Sequence, residues 1–172
     1  MGEMTQQNIK NRIFNSPLEI ALRVLLILNF GKKNSFSLER LIIYDYLIIN
    51  SGDLENAPES LHPSLPNRSS QLLVKRELLQ KALLILASKE LILIKYAKAG
   101  IQYAPSKLTE PFISYFESYY YKELKERIIW VAETFENRND KSLEKFISLN
   151  LEKWGSEFLN ESYMREELNY EQ

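Results

Sequence analysis

The residue types that usually carry catalysis are scarce in this chain of 172 residues. It contains no cysteine and one histidine, His62. Cysteine nucleophiles, thiolate zinc sites, iron–sulfur clusters and multi-histidine metal sites are therefore excluded. Glycine-rich phosphate loops, serine elbows and paired-histidine helices are also missing from the sequence. His62 precedes Pro63 in a predicted loop, where we expect it to hold a local hydrogen bond. The sequence thus predicts a protein that is not an enzyme and that uses no metal and no cofactor.

Cationic side chains are the second group that could carry a function, because long basic side chains bind nucleic-acid phosphates. The candidate DNA-binding residues lie on a predicted loop, helix and hairpin, and they are Arg68, Lys75, Arg76, Lys81, Lys95 and Lys98. The helix lacks the Asn, Gln and Arg series that reads base edges. We therefore expect phosphate contacts rather than sequence reading, and a solvated charged surface is the alternative explanation.

An aromatic run at Tyr115-Phe116 and Tyr119-Tyr120-Tyr121 places rings around more than half of a predicted helix. The rings on one side of this helix can face the core of the domain, and those on the other sides need another surface to bury them. Tyrosine is favoured at interfaces because it contributes a large contact area at low entropic cost. The candidate partner interface consists of Ile113, Tyr120, Ile129 and Trp130.

The first elements that position these residues are predicted helices. Ser16-Pro17 begins a helix that extends to about Phe30, since serine caps a helix and proline suits its first position. Ser37 caps a second helix that reaches about Ile49. A third helix, at about 71–89, is apolar nearly all round, which indicates that it is buried on most sides.

A β-hairpin follows at 91–96 and 101–104, with its turn at Gly100. The order of three helices and a hairpin predicts a winged helix-turn-helix in which the hairpin is the wing. Two long helices, at about 106–136 and 141–161, are expected to pack as an antiparallel pair because the connection between them is short.

The fold class is thus mainly α, and three segments are predicted. Residues 1–15 form a polar lead-in, 16–105 a winged-helix domain, and 106–172 a C-terminal helical hairpin and tail. Residues 1–105 carry 13 basic and 9 acidic side chains, whereas 106–172 carry 9 basic and 14 acidic ones. This asymmetry suits different partners for the two parts, although neither charge is extreme.

The apolar runs of the chain bear on its localisation, and the segment at 50–70 is predicted to be a long loop. The most apolar run, at 20–30, contains Arg23 and is shorter than the roughly 20 residues that span a bilayer. The run at 41–49 contains Asp45. We therefore expect a cytoplasmic protein without a membrane segment. Residues 50–70 are rich in Pro, Asn and Ser, and a loop of this length is expected to be functional or ordered by packing.

Several short stretches form a pattern, and they are 15–19 (NSPLE), 38–41 (LERL), 45–47 (DYL), 51–53 (SGD), 60–63 (SLHP), 66–69 (PNRS) and 72–78 (LLVKREL). Over about residues 15–160, this pattern resembles the middle component of ABC-three-component systems, of which Lamassu-type antiphage defence is the best known. The most specific part of the pattern is the Ser-Gly-Asp stretch at 51–53 together with the motif residues that follow it in the loop, namely Ser60, Leu61, His62, Pro63, Pro66, Arg68 and Ser69.

The resemblance implies a small winged-helix accessory subunit without catalytic residues. Such a subunit works beside an SMC/Rad50-like ABC ATPase and an effector, often a nuclease, and double-stranded DNA is contacted by the complex. Two other classes stay open on the sequence alone. One is a winged-helix transcriptional regulator that binds a palindromic site as a homodimer, and the other is an inhibitor subunit of the toxin–antitoxin kind.

Overall fold

The computed structural model describes residues 16–62 and 68–151, without the side chains of 68–71 and 73. This part of the chain is mainly helical and contains a three-stranded antiparallel sheet. The lead-in predicted for residues 1–15 lies outside the described residues, as do Pro63 and Pro66.

The first two helices begin and end where the sequence predicts. Helix α1 spans Pro17–Phe30, and helix α2 spans Leu38–Ile49. The hydroxyl oxygens of Ser16 and Ser37 each accept a hydrogen bond from the backbone three residues ahead, at 3.2 Å in both helices. Gly31 follows α1 where a Cβ would clash with the Phe36 ring and the Ile27 carbonyl, so the chain needs glycine at this turn.

The next elements confirm the predicted third helix and hairpin. Helix α3 spans Arg68–Ser88, strand β2 spans Ile92–Ala97 and strand β3 spans Gly100–Pro105. A two-residue strand that the sequence did not predict, β1 at Phe36–Ser37, pairs with β3 and completes the sheet in the order β1-β3-β2. Two residues are too few to show a strand periodicity.

The prediction of one long helix over residues 106–136 is wrong. The structure has a short helix α4 at Thr109–Ile113, a turn, and then helix α5 at Tyr119–Phe135. The break occurs because the backbone of Ser118 is extended and its hydroxyl accepts a hydrogen bond from Tyr121, at 3.2 Å. This N-cap starts a new helix, so the apolar positions before and after it do not form one stripe.

Helix α6, at residues 140–151, returns to the body of the protein after a short turn. Its first residue, Asp140, accepts hydrogen bonds from Ser37 and Arg40 at 2.6 Å each. The Phe135 and Phe146 rings join α5 to α6, with centroids 5.3 Å apart. The remainder of the predicted second helix, to about residue 161, lies outside the described residues.

One hydrophobic core includes residues from both sides of the predicted boundary at residue 105. Helices α1 and α2 contribute almost entirely buried runs, and α3 adds Leu79 and Leu83. Ile128 of α5 and Ile147 of α6 belong to the same core. Helix α5 therefore packs directly on α1 and α2, while the division into domains stays a prediction.

Candidate functional site

Three charged side chains meet in the interior, one from each of α1, α2 and α3. Arg23 donates from Nε to one Asp45 oxygen at 2.5 Å, and from Nη2 to the other at 3.3 Å. Lys75 donates to that second oxygen at 2.5 Å. All three side chains are buried. We call Arg23, Asp45 and Lys75, together with Glu19, the ionic cluster.

Glu19 balances the charge of the ionic cluster. It lies one turn before Arg23 on α1, and its carboxylate accepts a hydrogen bond from Nη1 of Arg23 at 3.1 Å. Two cations thus face two carboxylates, of which Asp45 is buried and Glu19 partly buried. A buried pair requires this compensation, because an ion without a partner loses several kcal/mol of hydration on leaving water.

Burial and pairing act in opposite directions on the pKa values of the ionic cluster. Burial by itself would raise the pKa of Asp45, but the Arg23 and Lys75 cations hold it well below its ordinary value. Burial would lower the pKa of Arg23, and the Asp45 carboxylate raises it instead. Burial lowers the pKa of Lys75 despite Asp45, and burial raises the pKa of Glu19.

The geometry gives Asp45 a structural task. Both of its oxygens accept bonds from cations, so neither is available to take a proton from a bound molecule. The cluster fastens three helices to one another at a single carboxylate. Among residues 16–62 and 68–151, no group of His, Asp and Glu side chains could hold a metal ion.

The loop after α2 carries part of the predicted motif, and the structure explains its serine and glycine. A 3-10 turn spans Ser51–Asp53. The Ser51 hydroxyl donates to the carbonyl of Glu59 at 3.0 Å, and the backbone of Gly52 donates to the hydroxyl of Ser60 at 3.0 Å. A Cβ on Gly52 would come within 2.9 Å of that hydroxyl oxygen. These contacts close the loop on itself.

The same loop is also attached to α2 and α5. The backbone of His62 donates to the carbonyl of Ile49 at 3.2 Å, while Nε2 of His62 is hydrogen-bonded to the Tyr120 hydroxyl at 3.0 Å. Arg127 donates to the carbonyl of Glu59 at 3.3 Å. Leu61 is partly buried against the core. The His62 side chain does form a hydrogen bond, but its partner is a tyrosine 58 residues away rather than the group within the loop that the sequence predicts.

His62 is held neutral in this position. Burial and the positive charges of Arg23 and Lys75 lower its pKa to about 4, although Asp45 opposes them. Burial raises the pKa of Tyr120 to about 12. Both groups are therefore uncharged near neutral pH.

The candidate DNA-binding residues separate into four groups. Lys75 is wrong as a surface contact, because its ammonium is buried on Asp45. Arg76 and Lys81 are exposed and pair with Glu39 and Glu77, at 3.0 and 2.8 Å.

The remaining candidates lie on the hairpin and at the start of α3. Lys95 and Lys98 are exposed on β2 and its turn, and they make no ion pair with the part of the chain that the structure describes. Arg68 and Ser69 form the first turn of α3. Their side chains lie outside the description.

The predicted partner interface does not form one exposed face. Ile113 is wrong as a contact residue, since it is buried in the core with 3% of its surface exposed. Tyr120 is half-buried and bonded to His62, and Ile129 and Trp130 are half-buried on α5. For these three residues the role at an interface stays a prediction.

The exposed aromatic residues lie elsewhere in the same region. Tyr115 is 85% exposed and Tyr119 is 78% exposed, on either side of the turn between α4 and α5. Phe112 of α4 and Leu18 of α1 are also exposed. We call Leu18, Phe112, Tyr115 and Tyr119 the aromatic surface. Exposed apolar side chains of this size are candidates for contact with another protein where they form one continuous patch.

Sequence reasoning did not assign the ionic cluster, although a signal for it exists. Arg23 and Asp45 are single charges inside long apolar runs, where a charged residue is almost never buried unless it has a partner. The basic residue in one apolar run and the acidic residue in the other therefore indicate that the two form a buried ion pair. Lys75 has no comparable signal, because it is followed by Arg76 and Glu77 in a polar stretch.

The described part of the chain is thus mainly helical, with an interior ionic cluster and several exposed aromatic side chains. Residues 13–157 match the family model of Middle Component 2 of the ABC-three component (ABC-3C) system, and the chain belongs to this family. It is therefore a component of a multi-component system. No curated protein and no solved structure matches the chain. Within the residues described, no helix has the length and apolar character needed to cross a membrane.

The ionic cluster predicts a strong asymmetry between substitutions. Asp45→Asn leaves Arg23 and Lys75 buried without their carboxylate, and should lower the free energy of unfolding by about 3–5 kcal/mol. Lys75→Met keeps the Arg23–Asp45 pair and should lose less. The measurement is urea unfolding followed by circular dichroism. The control is Lys81→Met, an exposed pair with Glu77 for which we expect at most about 1 kcal/mol. Equal losses for Asp45→Asn and Lys81→Met would contradict the structural role of the cluster.

His62 predicts a specific acid sensitivity. Its pKa is about 4 in the folded protein and about 6.5 in an unfolded chain. Between these values the unfolded chain binds more protons, so stability is complete above pH ~6.5 and falls as the pH falls towards 4. His62→Gln should flatten this part of the profile, measured as the urea midpoint from pH 7 to pH 4.5. His62 is the single histidine of the chain. Parallel profiles for the two proteins would therefore show that it does not titrate as stated.

Proposed function

We propose that this protein is a non-catalytic winged-helix subunit of a Lamassu-type antiphage defence complex. In this proposal it links an SMC/Rad50-like ABC ATPase to an effector, which we take to be a nuclease. Support for the winged-helix class comes from the element order α1, β1, α2, α3, β2, β3 and from the sheet order β1-β3-β2. The hairpin of β2 and β3 is then the wing. Support for the assembly comes from membership of the ABC-3C family.

The observation that carries the linking role is the aromatic surface. Tyr115 and Tyr119 expose most of their area, although tyrosine has a large apolar ring that gains free energy on burial. A second subunit that covers the turn between α4 and α5 would bury both rings. Half-buried Trp130 packs against the core, so it tests an interface less cleanly than these two residues do.

A linking function requires a rigid body between two partners. The ionic cluster fixes α1, α2 and α3 to one another, while Tyr120 and Arg127 of α5 hold the loop after α2. In the proposed subunit, the aromatic surface and the wing therefore keep a fixed position relative to each other. A partner at one of them is then positioned relative to a partner at the other.

The wing supports a proposed contact with DNA phosphates. Over residues 92–104 the hairpin has two basic residues, Lys95 and Lys98, and no acidic residue. Both are exposed, whereas the basic residues of α3 with described side chains are buried or paired with acids. Two lysines can bind phosphates but cannot specify a sequence. The proposed contact is thus independent of DNA sequence.

The aromatic surface predicts the outcome of an assembly experiment. The chain is co-expressed with the ATPase and effector of its own system, and the purified assembly is analysed by native mass spectrometry. We expect Tyr115→Ser/Tyr119→Ser to lose one partner by at least tenfold, because hot-spot tyrosines contribute about 2 kcal/mol or more each. The matched control is Tyr96→Ser on the wing, a tyrosine that is 84% exposed. Complete assembly with the double variant would reject the aromatic surface as the linking site.

The wing predicts a distinct salt dependence for the assembled complex on a random-sequence duplex. Lys95→Glu/Lys98→Glu should weaken binding and reduce the slope of log affinity against log salt by about 2, because each neutralised phosphate contributes roughly 0.9. The charge-matched control is Lys122→Glu/Lys145→Glu, at exposed positions on α5 and α6. An unchanged slope for the wing variant, or the same change in the control, would exclude direct phosphate contact by the wing.

A further inference from the structure

One face of the hairpin carries exposed apolar side chains. Because the side chains of a strand alternate between its two faces, Ile94 and Tyr96 of β2 lie on the same face. The register places Tyr103 and Ile101 of β3 beside them. We call Ile94, Tyr96, Ile101 and Tyr103 the wing face. The first three of these are exposed by 42%, 84% and 48%, so the wing face is an apolar surface that the function proposed above does not use.

Tyr96 lies at the tip of the hairpin. The next residue, Ala97, pairs with Gly100, and only Lys98 and Ala99 form the turn between them. Tyr96 is the most exposed of the large hydrophobic side chains of the hairpin. Its ring is therefore accessible to another planar group, and every nucleobase has a face on which such a ring can stack.

The charges beside Tyr96 favour an anionic ligand. Lys95 precedes it on the opposite face of β2, and Lys98 follows it in the turn; both lysines are exposed. Residues 92–104 contain no acidic residue. A chain of phosphates that passes around the tip of the hairpin therefore meets two cations and no carboxylate of the hairpin.

This combination fits an unpaired segment of DNA better than a duplex or a second copy of the chain. Proteins bind single strands with aromatic rings that stack on the bases and with cations that follow the phosphates. The bases of a duplex are stacked on one another, and a base must leave the stack before a side chain can cover its face. A second copy would place lysines opposite lysines, which like-charge repulsion opposes.

We propose that Tyr96 stacks on an unpaired DNA base while Lys95 and Lys98 bind the neighbouring phosphates. The proposal rests on the DNA contact proposed above for the wing, and it adds the form of DNA that the wing binds, namely a single strand or a frayed end. Every base has a face that can stack, so the contact is independent of sequence. The ring performs this task and the phenol hydroxyl does not, so phenylalanine should replace tyrosine at this position.

The test measures the binding of the full chain to two fluorescein-labelled probes by fluorescence anisotropy. One probe is an oligothymidylate of about 20 nucleotides, which is longer than a typical single-strand site, and the other has the same phosphates but abasic sugars. We expect Tyr96→Ser to bind the oligothymidylate at least about fivefold more weakly and to lose the preference for it over the abasic probe. Tyr96→Phe should bind like the wild-type chain. The matched control is Leu93→Ser, which alters a 49% exposed side chain on the opposite face of β2 and should change neither affinity.

The variant Lys95→Glu/Lys98→Glu separates this proposal from the DNA contact on which it rests. Both probes carry the same phosphates, so this variant should weaken the binding of both. If it does so and Tyr96→Ser weakens neither, the phosphate contact stands and base stacking is wrong. If the lysine variant binds both probes like the wild-type chain, the DNA contact proposed for the wing is wrong.

Two further results would overturn base stacking. A wild-type chain that binds the two probes equally would show that it makes no contact with the bases. Loss of a protein partner from the Tyr96→Ser assembly, measured by native mass spectrometry, would show that this tyrosine belongs to a protein interface instead.

Discussion

The carboxylate of Asp45 is the group on which the helical part of this protein depends. It holds Arg23 of α1 and Lys75 of α3 in the interior, and both of its oxygens accept hydrogen bonds from these cations. Leucine and isoleucine side chains surround the ions and supply most of the burial, but they do not define a register between helices. A buried ion pair defines this register, because displacement of either helix would leave one ion buried without its partner. We therefore regard the ionic cluster as the feature that selects this one packing of α1, α2 and α3.

The second constraint is the attachment of the loop after α2. His62, Ser60 and Gly52 belong to the stretches that most strongly resemble the family, and each has a contact that explains its residue type. Glycine is needed where the loop approaches Ser60, serine accepts from the backbone of Gly52, and neutral His62 meets Tyr120. The loop therefore connects the helices before it to α5. In this chain these residues therefore hold the loop in its shape.

The sequence predicts the elements well wherever capping residues and apolar periodicity agree. Ser16, Ser37 and Gly100 mark the start of α1, the start of α2 and the turn of the hairpin, and each is found in the predicted place. The prediction failed at Ser118, because the apolar spacing continues across a cap that only the backbone reveals. It also failed for Lys75 and Ile113. Their residue types suit a surface contact, but burial depends on which distant helix lies opposite, and one sequence does not contain that information.

The ionic cluster also makes the three helices unequal in how readily they could separate. Displacement of α3 would remove Lys75 but leave Arg23 and Asp45 paired with each other, whereas displacement of α2 would leave Lys75 without its carboxylate and take one of two carboxylates from Arg23. Displacement of α3 therefore has the smaller electrostatic cost, but the hairpin that follows it does not depend on the ionic cluster alone. Strand β1, which directly precedes α2, pairs with β3. The sheet thus fastens the hairpin to α2 at its other edge, which keeps the hairpin in position relative to the paired helices.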